Sequence, residues 1–325
     1  MSMHFIRAGL QTSIQDYGRP GLMHYGIPIG GAADPLSMKL ANMLLGNPLN
    51  NPVLEITLTG PLIEFTCDVS IAITGAQFKT SLNNRAIEYY KVIQVKRGDI
   101  LNFSKLISGM RAYIGISAKI STPMILGSTA THLISGFGGH HDRAIENGDR
   151  IGFVDTWTAR PAKLKRELQP NYKLRPLIRV VHGPEAGSFS QEIMEKFSGT
   201  SFQVSAQSNR MGIRLSPSIN PSRETLTETS GKMISSGLYP GSIQIPENGE
   251  PIISFIEGQT IGGYPRLAHV IRADLHRLGQ LNALDKISFQ VITLENARII
   301  LREKQKSLEK LQREIATETR DLLTL

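Results

Sequence analysis

Apolar residues recur along most of the chain in short β-rich runs separated by Gly, Pro, Asn and Asp. The runs are Val53 to Leu58, Val69 to Thr74, Ile87 to Val95, Met110 to Ser117, Leu177 to Val181, Gly212 to Leu215, Ile252 to Ile256 and Ile287 to Ile292. Brief stretches ended so often by turn formers predict the strands of β-barrels or sandwiches rather than a doubly wound α/β sheet. Helices are few. Asp34-Pro35, then Leu36, Met38, Leu40, Ala41, Met43 and Leu44, then Gly46-Asn47-Pro48, give a cap, a proline at the first position and a glycine stop, which predict one helix. A second is predicted over Phe189 to Phe197, capped by Ser188 or Ser190, and a third over Leu267 to Leu278.

The pattern changes at the C-terminus. From Leu294 to Leu325 there is no Gly or Pro, and Leu301, Leu308, Ile315 and Leu322 recur at sevenfold spacing with Leu311 between them. That spacing predicts an amphipathic helix. Such a helix either packs on its own body or serves self-association or a partner subunit. Lys304 and Glu318 interrupt its second seam position. A faint echo between Gln15 to Gly21 and Gln207 to Gly212 adds weight to two similarly built β domains. The expected organisation is a first β domain over 1–159, a basic linker over 160–176, a second β domain over 177–293 and a terminal helix over 294–325.

Length agrees: 325 residues at roughly 150 per domain give two. The formal charge of +8 points toward nucleic acid until its location is seen. Between Arg160 and Arg175, six basic residues face Glu167 alone, among Pro161 and Pro170. With aromatic residues sparse and no recognition motif beside it, this strip reads as a solvated linker or docking strip, and no nucleic-acid partner is expected. The single Cys67 lies in an alternating stretch and reads as a core thiol. No apolar run reaches the ~18 residues of a membrane span, and the N-terminus lacks a secretory pattern, so a cytoplasmic protein is expected.

The motifs that are absent narrow the chemistry. There is no phosphate-binding loop, no G-x-S-x-G elbow, no H-E-x-x-H and no cysteine pair. His140-His141-Asp142 lacks further ligands at suitable spacing, so no metal is expected. What remains are glycine-adjacent polar clusters: Gln15-Asp16-Tyr17-Gly18-Arg19-Pro20-Gly21, Gln207-Ser208-Asn209-Arg210-Met211-Gly212, and Gly258-Gln259-Thr260-Ile261-Gly262-Gly263-Tyr264-Pro265. Amides and guanidinium groups present donors in fixed planes, and glycines admit backbone N–H groups close to a bound oxyanion. These groups suit an amide or carboxylate ligand; each is equally a loop with its own internal pairing.

Together with Gly30-Gly31-Ala32-Ala33-Asp34-Pro35-Leu36-Ser37 and Leu54-Glu55-Ile56-Thr57-Leu58-Thr59-Gly60-Pro61, these clusters occur in the order of one family. From about Phe5 to Val291 the chain resembles the biotin-dependent carboxyltransferase family, also labelled allophanate hydrolase subunit 2. That family includes the C subunit of ATP-dependent 5-oxoprolinase and the carboxyltransferase part of urea carboxylase. The resemblance implies two cyclophilin-like β-barrel domains and a partner of the subunit 1 type, the B subunit, with a third, the A subunit, for 5-oxoprolinase. The chain departs from the family pattern in three places. Ala118-Lys119 stands where Gly-Gly is usual, Thr129-Ala130-Thr131 follows Gly127-Ser128 where the usual run has an arginine, and Asp142 replaces a glycine.

The resemblance implies either opening of the 5-oxoproline lactam to glutamate with ATP hydrolysis, ATP being shared with the complex, or carboxyl transfer to urea or a related amide. In the second case biotin arrives on a separate carrier, since the chain has no Met-Lys-Met attachment site. A non-catalytic regulatory subunit is the third reading. On the first two, Arg210 and Arg19 are expected at an anion, and Asp16 either as a base or as a helix or turn cap. Gln15, Gln207, Ser208, Asn209, Gly262, Gly263 and Tyr264 are expected around the small amide substrate.

Overall fold

The computed structural model describes residues 1–172, 176–219 and 233–321. Among them the chain is mainly β, as its short apolar runs predict, with nineteen strands and four α-helices. It divides into two compact units. The first comprises Met1–Arg19, Gly30–Lys173 and Lys306–Leu325, and the second Pro20–Ile29 and Leu174–Gln305. The long stretch of the first unit gives way to that of the second within the basic strip, of which residues 173–175 lie outside those described. The strip up to Tyr172 docks on the first unit: Leu164 is buried and its N–H donates to Tyr90 O, while Lys163 pairs with Glu88.

The first unit holds β1 (Ser2–Arg7), β2 (Gln11–Gln15), β3 (Val53–Thr57), β4 (Leu62–Phe65), β5 (Val69–Leu82), β6 (Arg85–Ala86), β7 (Val92–Val95), β8 (Ile100–Ile116), β9 (Ala118–Ile120) and β10 (Arg150–Thr156). They form one curled sheet, β2-β3-β8-β4-β1-β10-β9, with β5 also paired to β8. Its concave core gathers Met3, Phe5, Ile14, Leu54, Ile56, Ile71, Ile73, Phe103 and Ile114, the buried alternates of their strands. The register of β5 against β8 shifts at Gly75, whose φ is +83°. A Cβ there would stand 2.5 Å from Arg111 O, so only glycine permits this bend.

Helix α1 (Pro35–Leu44) forms as predicted. The Asp34 carboxylate accepts from the N–H groups of Leu36 and Ser37, and Gly46 follows at a φ of +68°. Leu40, Met43 and Leu44 pack with Ala72, Tyr90 and Val92, the same cluster that receives Ile315 from the C-terminal helix.

The second unit holds β11 (Leu177–His182), α2 (Gln191–Gly199), β12 (Phe202–Val204), β13 (Gly212–Ser216), β14 (Ser236–Gly237), β15 (Ser242–Gln244), β16 (Ile252–Ser254), β17 (Ile261–Gly262), β18 (Arg266–Val270), α3 (Leu275–Leu278) and β19 (Lys286–Val291). Seven of these strands close into a barrel in the order β11-β18-β15-β16-β13-β12-β19, and β14 with β17 makes a separate ribbon. Parallel pairing of Leu177 with Ser288 and Val180 with Val291 seals the barrel. Phe197 of α2 stacks on Phe289, with Phe202 beside both. One expected helix is corrected here. Residues 266–270 form β18, because Arg266 lies opposite Gln244 and bonds Glu185 through its guanidinium, leaving only Leu275–Leu278 helical.

Helix α4 (Leu294–Asp321) follows. Its end, including Leu322, lies outside the described residues. The polar seam residue Lys304 has a local reason: its ammonium donates to Ala273 O and contacts His276 Nδ1.

Candidate functional site

The Gln15 to Gly21 motif is wired into a loop more than a hundred residues downstream. Asp16 is buried, and its carboxylate accepts from Gly18 N at 2.7 Å, Ser128 Oγ at 2.6 Å, Thr129 N at 2.7 Å and Thr129 Oγ1 at 3.0 Å. Arg19 is 1% exposed. It donates to Ile125 O and Ala130 O, with its guanidinium 4.6 Å above the Phe137 ring. Gln15 donates to Ser13 Oγ and Thr131 O. These side chains, expected around a substrate, are therefore occupied in holding residues 125–139. The Thr129-Ala130-Thr131 departure from the family pattern sits within that bonding, and Asp142 adopts a left-handed φ of 60° while accepting from Gly138 N.

A second buried network joins two further motifs. Glu55 accepts from Ala33 N and from the Tyr113 hydroxyl, which itself accepts from Asp34 N. Burial, with Glu55 and Asp34 nearby, pushes the Tyr113 phenol well above its ordinary value, keeping it a neutral donor. Tyr172 donates to Asp34, and burial raises its phenol likewise. This network fixes the start of α1.

The open chemistry lies on the outer face of the closed barrel. Ile213, Ile253 and Ile243 are register partners and fully or nearly buried, so they form one inward row. Alternation turns the next row, Arg214, Ile252 and Gln244, outward. Above it lies a cavity of about 260 Å³ lined by Gln207, Asn209, Met211, Gly212, Arg214, Leu238, Gln244, Ile252, Ser254, Gln259 and Tyr264. A second groove of about 490 Å³ shares Arg214, Ile252 and Tyr264 and continues to Glu247, Asn248 and Glu250. The cavity wall offers four side-chain amides, the Ser254 and Tyr264 hydroxyls and one guanidinium among apolar surfaces. That composition matches a planar amide better than a free hydrocarbon or a bare polyanion.

The expected residues divide accordingly. Gln207, Asn209 and Tyr264 come together at this cavity, and Ser208 supports it from behind, its hydroxyl accepting from Arg214 N. Gly262 is buried beside it: a Cβ there would meet Gln244 Nε2 at 2.6 Å and Gln259 Nε2 at 3.3 Å, so the glycine makes room for both amides. Gly263 is exposed next to it and is not part of the wall. Arg210, expected at an anion, lies inside the loop rather than on the cavity wall. It is 3% exposed and donates through Nε to Glu257, itself 0% exposed, while Glu257 N donates to Arg210 O. The pair ties the Gln207 to Gly212 loop to the Phe255 to Gln259 loop, bracing the cavity from within. Gln15, Asp16 and Arg19 belong to the other unit.

Arg214, Gln244 and Ser254 lie outside the polar motifs, and Gln259 lies inside one without being singled out. A signal for two of them is present in the sequence. In Gly212-Ile213-Arg214-Leu215 and Ser242-Ile243-Gln244-Ile245 the apolar alternates point inward, which places the arginine and glutamine on the opposite face. Among the described residues there is no cluster of acidic, histidine or cysteine side chains able to hold a metal ion, and no helix long and apolar enough to cross a membrane.

A curled β unit followed by a closed barrel with an amide-lined outer face defines a mainly β protein. Residues 25–291 match the carboxyltransferase domain, subdomain A and B, and the chain belongs to that family. It is 35% identical over 314 residues to the C subunit of 5-oxoprolinase from Escherichia coli (strain K12), covering 95% of this chain and 97% of that one. To urea amidolyase of Saccharomyces cerevisiae it is 34% identical over 310 residues, spanning 89% of this chain but only 16% of the relative. The crystal structure of Kluyveromyces lactis urea carboxylase superposes with a TM-score of 0.87 at 30% identity, over 95% of this chain and 29% of that one.

Proposed function

We propose that the protein is the C subunit of a multi-subunit ATP-dependent 5-oxoprolinase, and that the barrel cavity receives the small lactam substrate. The observation that carries this reading is the convergence of Gln207, Asn209, Gln244 and Gln259 on one cavity of about 260 Å³. Such amides both donate to a carbonyl oxygen and accept from an N–H, the two faces of a lactam. Near end-to-end similarity to a protein named as the C subunit of 5-oxoprolinase supports it.

Within the cavity the lactam would lie against Ile252 and Met211 with its polar edge on the amides. Preorganised donors stabilise charge gathering on a carbonyl oxygen as water attacks, each contributing about 3–4 kcal/mol. ATP does not fit this wall: Arg214 is its one cation, and no carboxylate of the lining faces it to hold a magnesium ion. On this reading the nucleotide shared by the complex is bound outside this wall.

The carboxyltransferase reading keeps one specific support, the structural likeness to urea carboxylase. A biotin ureido ring is a planar amide that Gln207, Asn209, Gln244 and Gln259 fit, and when bound on its carrier it would supply a transferable carboxyl group. The test is co-expression with the A and B subunits. Glutamate formed from 5-oxoproline and ATP supports the first reading; carboxylation of urea by carboxybiotin, without glutamate, replaces it with the second. An assembled complex inactive in both assays identifies a regulatory subunit.

A further inference from the structure

The strand arginines of the barrel are not alike. Arg179 and Arg266 each present their guanidinium to a carboxylate through two nitrogens, Asp274 for the first and Glu185 for the second. Arg214, on β13, differs: its side chain makes no hydrogen bond or ion pair among the described residues. Its backbone is nonetheless held on both sides: its N–H donates to Ser208 Oγ at 3.0 Å, and its carbonyl accepts from Ser205 N at 2.9 Å. The side chain stands where the amide-lined cavity and the outer groove meet. Glu247 and Glu250 line that outer groove and still form no pair with it.

From this we infer that Arg214 is the anchor for a carboxylate carried by the ligand, so that the barrel site selects an amide-bearing carboxylate over an uncharged amide. The inference rests on the lactam reading above and specifies its substrate class. A guanidinium on a strand whose backbone is held on both sides, with its own fork unused, suits a planar, bidentate anion. The direction of the ligand follows from charge. Glu247 and Glu250 repel an anion placed in the outer groove, so the carboxylate sits at the junction and the amide end extends toward Gln244, Gln259 and Gln207. The cross-strand row Arg214, Ile252, Gln244 then reads the ligand in sequence as anion, apolar ring face and amide.

Three ligands isolate the two ends: 5-oxo-L-proline has both groups, 2-pyrrolidinone lacks the carboxylate, and L-proline lacks the lactam. Binding to the full chain is measured by calorimetry, and the KM for 5-oxoproline is measured in the complex with A and B subunits. The wild type is expected to prefer 5-oxoproline to 2-pyrrolidinone by about tenfold to a hundredfold, the range of one charge-assisted bidentate contact. Arg214→Gln should bind the two lactams equally and raise KM by a similar factor, with the urea midpoint little changed because the side chain is exposed. Arg214→Lys should restore part of the preference. An Arg214→Gln variant that keeps the wild-type preference and KM overturns the carboxylate anchor while leaving the oxoprolinase reading intact. A wild-type complex that makes no glutamate overturns that reading and this inference with it.

Discussion

Arg210 and Glu257 form an ion pair with side chains 3% and 0% exposed, carried on the two loops that supply Asn209, Met211 and Gln259 to the cavity wall. Replacing Arg210 with alanine strands the Glu257 carboxylate where water does not reach it. It must then stay charged without its partner or take up a proton, and both outcomes weaken the fold. Removing one member of a buried pair costs about 3–5 kcal/mol. At roughly 2–4 °C per kcal/mol, the melting temperature is expected to fall by on the order of 10 °C. Urea unfolding followed by circular dichroism reads the same loss as a lower midpoint. The double change Arg210→Met with Glu257→Leu removes both charges while keeping the volume, and is expected to recover stability to within about 1–2 kcal/mol of the wild type. If Arg210→Ala instead unfolds at the wild-type urea midpoint yet no longer takes up the lactam, the guanidinium touches ligand and the bracing role assigned to it is wrong.

Two further substitutions test the remaining assignments. Asp16→Asn replaces one acceptor oxygen by an NH2 that faces the donors of residue 128 or 129, so a stability loss of about 2–3 kcal/mol and faster proteolysis within residues 125–139 are expected; an unchanged urea midpoint with abolished turnover would return Asp16 to the role of a base. Gly262→Ala places a Cβ 2.6 Å from Gln244 Nε2. The flexible amide end can yield, so stability should move by under ~1 kcal/mol while calorimetry shows weaker lactam binding; unchanged affinity would remove Gln244 from the site.

Much of the architecture is legible where the signal is local. Asp34, Pro35 and Gly46 mark α1 because capping acts within a single turn, and the alternating runs mark most strands because burial on one face repeats every second residue. Residues 266–270 escape this logic. Leu267, Ala268 and Val270 are buried and mimic a helical face, and what makes the segment a strand is its pairing with Gln244 and His182, distant partners that local pattern does not specify. Barrel closure is non-local for the same reason, since Leu177 meets Ser288 across more than a hundred residues. The site was half legible. Glycine-rich polar loops located Gln207, Asn209 and Tyr264, but residue type alone did not separate an arginine with a buried carboxylate partner, Arg210, from one without, Arg214. That distinction depends on Glu257, which arrives from a separate loop.

The polypeptide passes from one unit to the other at residues 19/20, 29/30, 173/174 and 305/306. Neither half is therefore a cassette that a single cut can release. Expression of 174–325 alone leaves the barrel without the segment Pro20–Ile29, and a chain stopping at 173 deprives the N-terminal unit of Ile315, the helix residue that seals the Leu40 and Met43 cluster. Shuffling between relatives should exchange the two units whole, carrying their interrupted segments together.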